Sequence, residues 1–166
     1  MAPQAIRRKL VIVGDEASGK TSLLSVFAMG EFVKEYHPTI FETYVAEIRL
    51  DGKPVQIVLW DTAGQEDYER LRPLSYYKAH IILIALSLDT PDGLDNVLSK
   101  WIGEVRSSCG PDIPVMLVGY KRDLRDDAVQ RNDGSAEDER RFVSSQKGEA
   151  TASEIGAKST RNVQHF

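Results

Sequence analysis

The segment Gly14-Asp15-Glu16-Ala17-Ser18-Gly19-Lys20-Thr21 constrains this chain more than any other part of it. It has the form Gly-x4-Gly-Lys-Thr, and it follows the apolar run Leu10-Val11-Ile12-Val13. A short continuous apolar run that ends at a glycine reads as a parallel strand buried on both faces. After the segment, Leu23, Leu24 and Phe27 recur at helical spacing, with Gly30 as a stop. Strand, glycine-bearing loop and helix in that order are the frame of a phosphate loop. Backbone N–H groups curl around the anion, and the helix adds its positive N-terminal dipole. Lys20 supplies a mobile positive charge for the β and γ phosphates, and the Thr21 hydroxyl can ligate Mg²⁺. Gly14, Glu16, Ala17, Ser18, Gly19 and Ser22 complete the candidate nucleotide contacts on this side.

A second segment fits the first. Trp60-Asp61-Thr62-Ala63-Gly64-Gln65-Glu66 begins at the end of an apolar strand. A phosphate-loop protein places its Mg²⁺-side carboxylate at such a strand end, here Asp61. Gly64 can bring its N–H close to a γ-phosphate, and Gln65 can orient a water for in-line attack. Alone, Asp-Thr-Ala-Gly is equally a plain turn after a strand; beside the first segment it reads as the other half of a nucleoside triphosphate site.

The rest of the chain alternates strands and helices. Residues 44–50 and 55–60 form an expected antiparallel hairpin about Asp51-Gly52. Residues 81–88 and 115–118 are further buried strands. Thr90-Pro91-Asp92 has the residues of a capped helix start, followed by Leu94, Val97, Leu98, Trp101, Ile102 and Val105 on one face. Residues 124–141 are strongly charged and read as a solvated loop or a short exposed helix. This order predicts an α/β fold, a mostly parallel central sheet with one antiparallel strand and helices on both faces.

Length and charge narrow the class. A chain of 166 residues is about one domain, 1–166. Lys plus Arg number 21 against 25 for Asp plus Glu, a net charge of −4, which excludes a nucleic-acid binder working by bulk positive charge. Cys109 is the single cysteine, so no internal disulfide forms and a reducing compartment fits. No run approaches the ~20 apolar residues needed to cross a bilayer. Ala2 gives no myristoylation start, and Val163-Gln164-His165-Phe166 holds no prenylation cysteine. The expectation is a soluble cytoplasmic chain, without a membrane anchor as written.

These residues resemble the Ras-like small GTPases and, within them, the Rho family. The resemblance runs from Arg8 to about Ala157. It rests on the Gly14–Thr21 loop, on Tyr36-x-Pro38-Thr39-x-Phe41, and on the block from Trp60 through Tyr68 to Tyr76. The acidic segment after Leu124-Arg125 looks like the Rho-type insert, around 124–142. The resemblance implies a monomeric GTP/GDP switch in signalling, of the cytoskeletal or polarity kind, that uses Mg²⁺. Its partners would be Rho-type exchange factors, GTPase-activating proteins and effectors, and a longer lipidated form would reach membranes. By the same resemblance Thr39 ligates Mg²⁺ and senses the γ-phosphate, while Tyr36 closes over the phosphates. Phe32 stacks edgewise on the base, and Gln65, Lys20 and Gly64 are the catalytic set. Tyr36, Pro38, Ile40, Phe41, Tyr68, Leu71 and Leu74 form the surface that regulators and effectors read.

Three departures qualify the resemblance. Glu16 stands where the family usually has glycine, and a carboxylate there faces the γ-phosphate, Gln65 and an incoming arginine finger unless it turns to solvent. Tyr120-Lys121-Arg122-Asp123 replaces the usual Asn or Thr-Lys-x-Asp. Asp123 can still accept from guanine N1 and the exocyclic amine, and Lys121 can pack over the base. Tyr120 cannot bridge the phosphate loop to the base loop as an amide does, so weaker nucleotide holding is expected. Finally, Gly156-Ala157-Lys158 either stands for the family's Ser-Ala-Lys base loop, with a strand missing before it, or that motif is lost. As written the sequence leaves no room for the family's final helix, so a fold lacking the last strand and helix is one expectation. On the first alternative Ala157 and Lys158 contact the base. The leading function is slow hydrolysis of Mg·GTP by a Rho-like switch. The alternatives are a GTP-binding module with negligible hydrolysis and, disfavoured by Asp123, an ATP-using enzyme.

Overall fold

A computed structural model describes residues 5–32, 37–131 and 141–162. Strand β1 (Ile6–Gly14) leads into helix α1 (Lys20–Met29), and β2 (Phe41–Leu50) and β3 (Lys53–Thr62) follow as a hairpin. The chain continues through α2 (Pro73–Tyr76), β4 (Ile81–Ser87), α3 (Gly93–Asn96) and α4 (Ile102–Cys109). It ends with β5 (Val115–Tyr120), α5 (Arg122–Arg131), α6 (Ser145–Glu154) and β6 (Ser159–Asn162). The six strands make one sheet in the order β2-β3-β1-β4-β5-β6, with only the β2–β3 pair antiparallel. This is the expected fold class. The hairpin register, Leu50 opposite Lys53, leaves Asp51-Gly52 as the turn, both with positive φ.

The apolar runs are continuous because each central strand is buried on both faces. Val11 and Val13 face one core while Ile12 between them faces the other. Ile82, Ile84 and Leu86 alternate with Leu83 and Ala85 in the same way. One layer is covered by α1 through Leu24, the other by Tyr76, Val97, Trp101, Val105, Ala152 and Ile155 from the helices after β3. Each such fully buried aliphatic side chain contributes about 1.5–3 kcal/mol.

Two expectations change, at the helix start and at the last strand, and the described part of the charged segment takes the helical one of its two readings. The helix after Thr90-Pro91-Asp92 begins at Gly93, its Asp92 side chain makes no cap bond, and it passes through a π-helical turn at Val97–Trp101 before α4. Val97, Trp101 and Val105, four apart, lie on one face and are all fully buried. The charged segment is helical as α5, with no buried residue, and residues 132–140 lie outside those described. The last strand is present: β6 pairs parallel with β5, Met116 opposite Ser159. Because β6 follows Gly156-Ala157-Lys158, that tripeptide is the turn into the strand, not the loop after it. The Lys158 N–H donates to the Val115 carbonyl, 2.8 Å, at the amino end of β5. Parallel strands put the phosphate loop at the opposite, carboxyl end, so Ala157 and Lys158 are removed from the candidate base contacts. Residues 163–166 lie outside the described residues.

Candidate functional site

The carboxyl ends of β1, β3, β4 and β5 deliver the Gly14, Thr62, Ser87 and Tyr120 ends to one edge of the sheet. Crevices at such an edge are where open α/β sheets bind ligands. The loop after β1 turns through left-handed conformations at Ala17 (φ 56°) and Gly19 (φ 104°). Gly19 occupies the capping position of α1, so the free N–H groups of the first helical turn face the loop. A side chain at position 19 would also meet the Tyr120 ring, 3.3 Å from an added Cβ.

Lys20 is buried, and its ammonium donates to the Gly14 carbonyl at 2.9 Å and the Asp15 carbonyl at 2.6 Å. Ser18 Oγ, also buried, lies 3.5 Å away. Burial lowers the Lys20 pKa to about 8, against the opposing pull of Asp61 and Asp15. A phosphate at the loop would favour the charged form. Ser22 lies half-buried in the first turn of α1.

Three oxygen-bearing side chains converge beside the lysine. Thr21 Oγ1 donates to Asp61 Oδ2 at 2.6 Å and lies 2.8 Å from Thr39 Oγ1. Asp61 is fully buried, and burial is the main cause that pushes its carboxyl up to about 6. Its Oδ1 is buried without a hydrogen-bond partner. Two hydroxyls and an orphaned carboxylate oxygen suit a hard divalent cation that keeps waters or phosphate oxygens among its ligands. Thr21, Thr39 and Asp61, distant in sequence, are thus brought together as expected.

Gly64 and Gln65 sit against the loop. A Cβ at Gly64 would lie 2.6 Å from the Asp15 carbonyl carbon and 2.7 Å from the Gly14 oxygen, so only glycine fits. The Gln65 side chain donates from Nε2 to Glu16 Oε1, 2.8 Å. Glu16 is exposed, yet its carboxylate engages the very glutamine expected to orient water.

At the base end, Lys121 (φ 60°) follows β5 and its ammonium pairs with Asp89 Oδ2 at 3.2 Å. Asp89 also accepts from Ser87 and Thr90. Asp123 is half-buried in the first turn of α5. Tyr120 is buried with its ring against Gly19, and its hydroxyl has no partner. Contact with the phosphate loop is therefore made by ring packing in place of an amide's hydrogen bonds. Phe32 is half-buried just past α1, and Tyr36 lies outside the described residues.

The remaining switch residues form an apolar surface. Ile40 is 58% exposed, Leu71 55% and Leu74 73%. Phe41 packs edge-on against Trp60, ring centroids 5.0 Å apart; Pro38 is exposed and Tyr68 half-buried.

Sequence reading missed several residues of this neighbourhood. Asp15 accepts from Trp101 Nε1 at 2.7 Å and from Asn96 Nδ2 at 2.9 Å. Arg72, buried, binds the Ala63 and Gln65 carbonyls. Asp89 had a usable signal, an acid just past the end of a parallel strand. Nothing in the run Arg70-Leu71-Arg72 tells which arginine turns inward.

Comparison with known proteins agrees with this geometry. The model of the Ras family matches residues 9–164. The chain is 57% identical over 155 residues to "GTP-binding protein rho2" of Schizosaccharomyces pombe, covering 93% of this chain and 76% of that one. It is 54% identical over 155 residues to "GTP-binding protein RHO1" of Candida albicans, covering 93% and 77%. Against "GTP-binding protein RHO1" of Saccharomyces cerevisiae it is 53% identical over 153 residues, covering 92% and 72%. A phosphate loop facing a Thr–Thr–Asp cluster, on a six-stranded sheet with one antiparallel edge, and relatives of this closeness place the chain in the Rho family of Ras-type small GTPases.

Proposed function

We propose that the chain is a Rho-type GTP/GDP switch that binds Mg·GTP and hydrolyses it slowly. The convergence of Lys20, Thr21, Thr39 and Asp61 on the loop carries this reading. Thr21, Thr39 and Asp61 would hold a Mg²⁺ ion, which would supply positive charge to the phosphate oxygens. Lys20 would add a second charge, and the Gly64 N–H, packed on the loop, is available to a γ-phosphate. Gln65 orients the attacking water once its amide is free of Glu16, whose bond to Nε2 takes one of the two amide N–H groups and fixes the direction in which the amide faces. Thr39 and Gly64 lie on two separate segments that a γ-phosphate would order and its loss release, which makes a switch.

Asp123 and Lys121 supply the base end, and guanine is selected because its N1–H and amine match a carboxylate acceptor. Single-domain organisation with a Rho-type insert at 124–142 belongs to the same reading. The exposed Ile40, Phe41, Leu71 and Leu74 are the surface for exchange factors, activating proteins and effectors. Among the described residues no helix is long and apolar enough to cross a membrane, and a cytoplasmic place fits the reading. The relatives give no support to the alternative of negligible hydrolysis. The test is competition of GTP, GDP and ATP for the purified protein with and without Mg²⁺. Guanine preference and loss of tight binding on chelation are expected; equal affinity for ATP and GTP overturns the reading.

A further inference from the structure

Gln65 is held by more than its side chain. Its carbonyl accepts from Arg72 Nη1 at 3.0 Å, and the same nitrogen donates to the Ala63 carbonyl at 3.1 Å. The two carbonyls flank Gly64, the residue packed on the phosphate loop. Arg72 Nε and Nη2 donate to Glu104 Oε1 and Oε2 at 2.9 and 3.0 Å, a two-point pair that fixes the plane of the guanidinium. Tyr76 donates a further bond to Glu104 Oε1, 2.6 Å. The guanidinium lies over the Trp101 ring, 4.8 Å from its centroid, and the edge of that ring donates to Asp15 in the phosphate loop. Arg72 is 2% exposed.

A buried pair of this kind is weak evidence for stability, because desolvation offsets its attraction. What it does supply is direction. Four of the five guanidinium N–H groups are used, two on the carboxylate and two on the main chain at either side of Gly64. A lysine, with one point charge, cannot span a carboxylate and two carbonyls at once. We propose that Arg72, braced by Glu104, is a positioning residue for hydrolysis: it fixes the main chain of Ala63, Gly64 and Gln65 against the phosphate loop, so that the Gln65 side chain and the Gly64 N–H meet the reacting phosphate. The proposal rests on the role of Gln65 given above.

Two variants test it. Arg72→Lys keeps the charge pair and loses the fork. The double variant Arg72→Met/Glu104→Leu removes the pair in favour of apolar groups of similar size, a change that buried ion pairs often tolerate. Each protein is followed by single-turnover phosphate release from GTP, by GDP dissociation, and by amide hydrogen exchange. Hydrolysis is expected to fall about 10-fold or more, the scale of a small misplacement of a catalytic group. GDP dissociation stays within about twofold, and exchange speeds up at residues 63–66 while α1 is unchanged. Hydrolysis within about twofold of the unmodified protein in either folded variant overturns the proposal; if the double variant does not fold, Arg72→Lys decides. Loss of hydrolysis with an equal loss of GDP retention also overturns it, since that is a structural role. Gln65→Leu runs alongside: hydrolysis at the unmodified rate there overturns the reading of Gln65 itself, an outcome separate from failure of the clamp.

Discussion

Replacing Glu16 with glycine is the most informative single change in this protein. The Glu16 carboxylate accepts from the Gln65 amide at 2.8 Å in an exposed setting. Hydrogen bonds to charged groups are worth ~1.5–3 kcal/mol when shielded, and exposure reduces such a contact to about 1 kcal/mol. Freeing the amide by that amount raises the population able to orient water about fivefold, because a tenfold change corresponds to about 1.4 kcal/mol. Intrinsic hydrolysis in Glu16→Gly is therefore expected to rise about fivefold. The larger effect appears with a Rho-type activating protein. An arginine finger at a Ras-type site is worth about 10⁵-fold, or about 7 kcal/mol, and it needs the finger, Gln65 and the γ-phosphate in direct contact. Glu16 places bulk and negative charge there, so activation of the unmodified protein should stay far below that of Glu16→Gly. Glu16→Gln separates charge from volume: intrinsic hydrolysis recovers in part, finger activation does not. Stopped-flow phosphate release on the three proteins, with Gln65→Leu added in the glycine background to abolish the gain, reads all of this. Equal activation of the unmodified protein and of Glu16→Gly would refute the reasoning, because the side chain would then be clear of the finger.

Other outcomes follow from the same geometry. Gly64→Ala forces a Cβ to within 2.7 Å of the loop backbone, so the 63–65 segment moves off the loop at a cost of about 1–3 kcal/mol, and single-turnover hydrolysis falls while GDP affinity, measured by fluorescent nucleotide titration, changes little. Tyr120→Phe removes a buried hydroxyl that has no partner, and the melting temperature should rise by about 2–4 °C; a lower melting point would show that the hydroxyl is bonded. Asp123→Ala deletes the charged acceptor for guanine and should cost ~2–4 kcal/mol of GDP affinity by calorimetry, while the phosphate contacts stay in place, read as unchanged pyrophosphate binding.

What the sequence revealed follows from local rules. The phosphate loop, the β2–β3 hairpin and the central strands were legible because each is written in contiguous residues: a fixed glycine spacing, a turn at Asp51-Gly52, an unbroken apolar run. Thr21 and Asp61 could be paired from the phosphate loop and the strand end, but Thr39 was legible only by resemblance, since nothing local joins it to the other two. The π-helical turn was invisible, because its apolar spacing also fits an ordinary helix face. β6 was missed for a physical reason. Ser159-Thr160-Arg161-Asn162 is polar and short, an edge strand whose partner, β5, carries the apolar pattern for both. Gly156-Ala157-Lys158 resembles a base loop in sequence, but the strand lies after it, so it is the turn into β6. Buried charge was the hardest to read: Arg72 looks like its exposed neighbour Arg70, and only packing against Trp101 and Glu104 sets it apart.

The departures at Glu16 and Tyr120 act on the same loop from opposite ends. Tyr120 sets its ring beside Gly19 without the hydrogen bonds that an amide would give, so a weaker tie between phosphate and base halves is expected. Glu16 meets it at the other end, where its carboxylate competes with water for Gln65. On the proposed reading Tyr120 is expected to quicken nucleotide loss and Glu16 to slow hydrolysis, so that both favour reloading from solution. Because Arg72 holds the main chain of Gln65 regardless of where its side chain points, Glu16 restrains only a rotamer on a segment already in place. Any slowing by Glu16 is therefore expected to be reversed by a single substitution, whereas loss of the Arg72 brace would disturb the backbone that any glutamine at position 65 depends on.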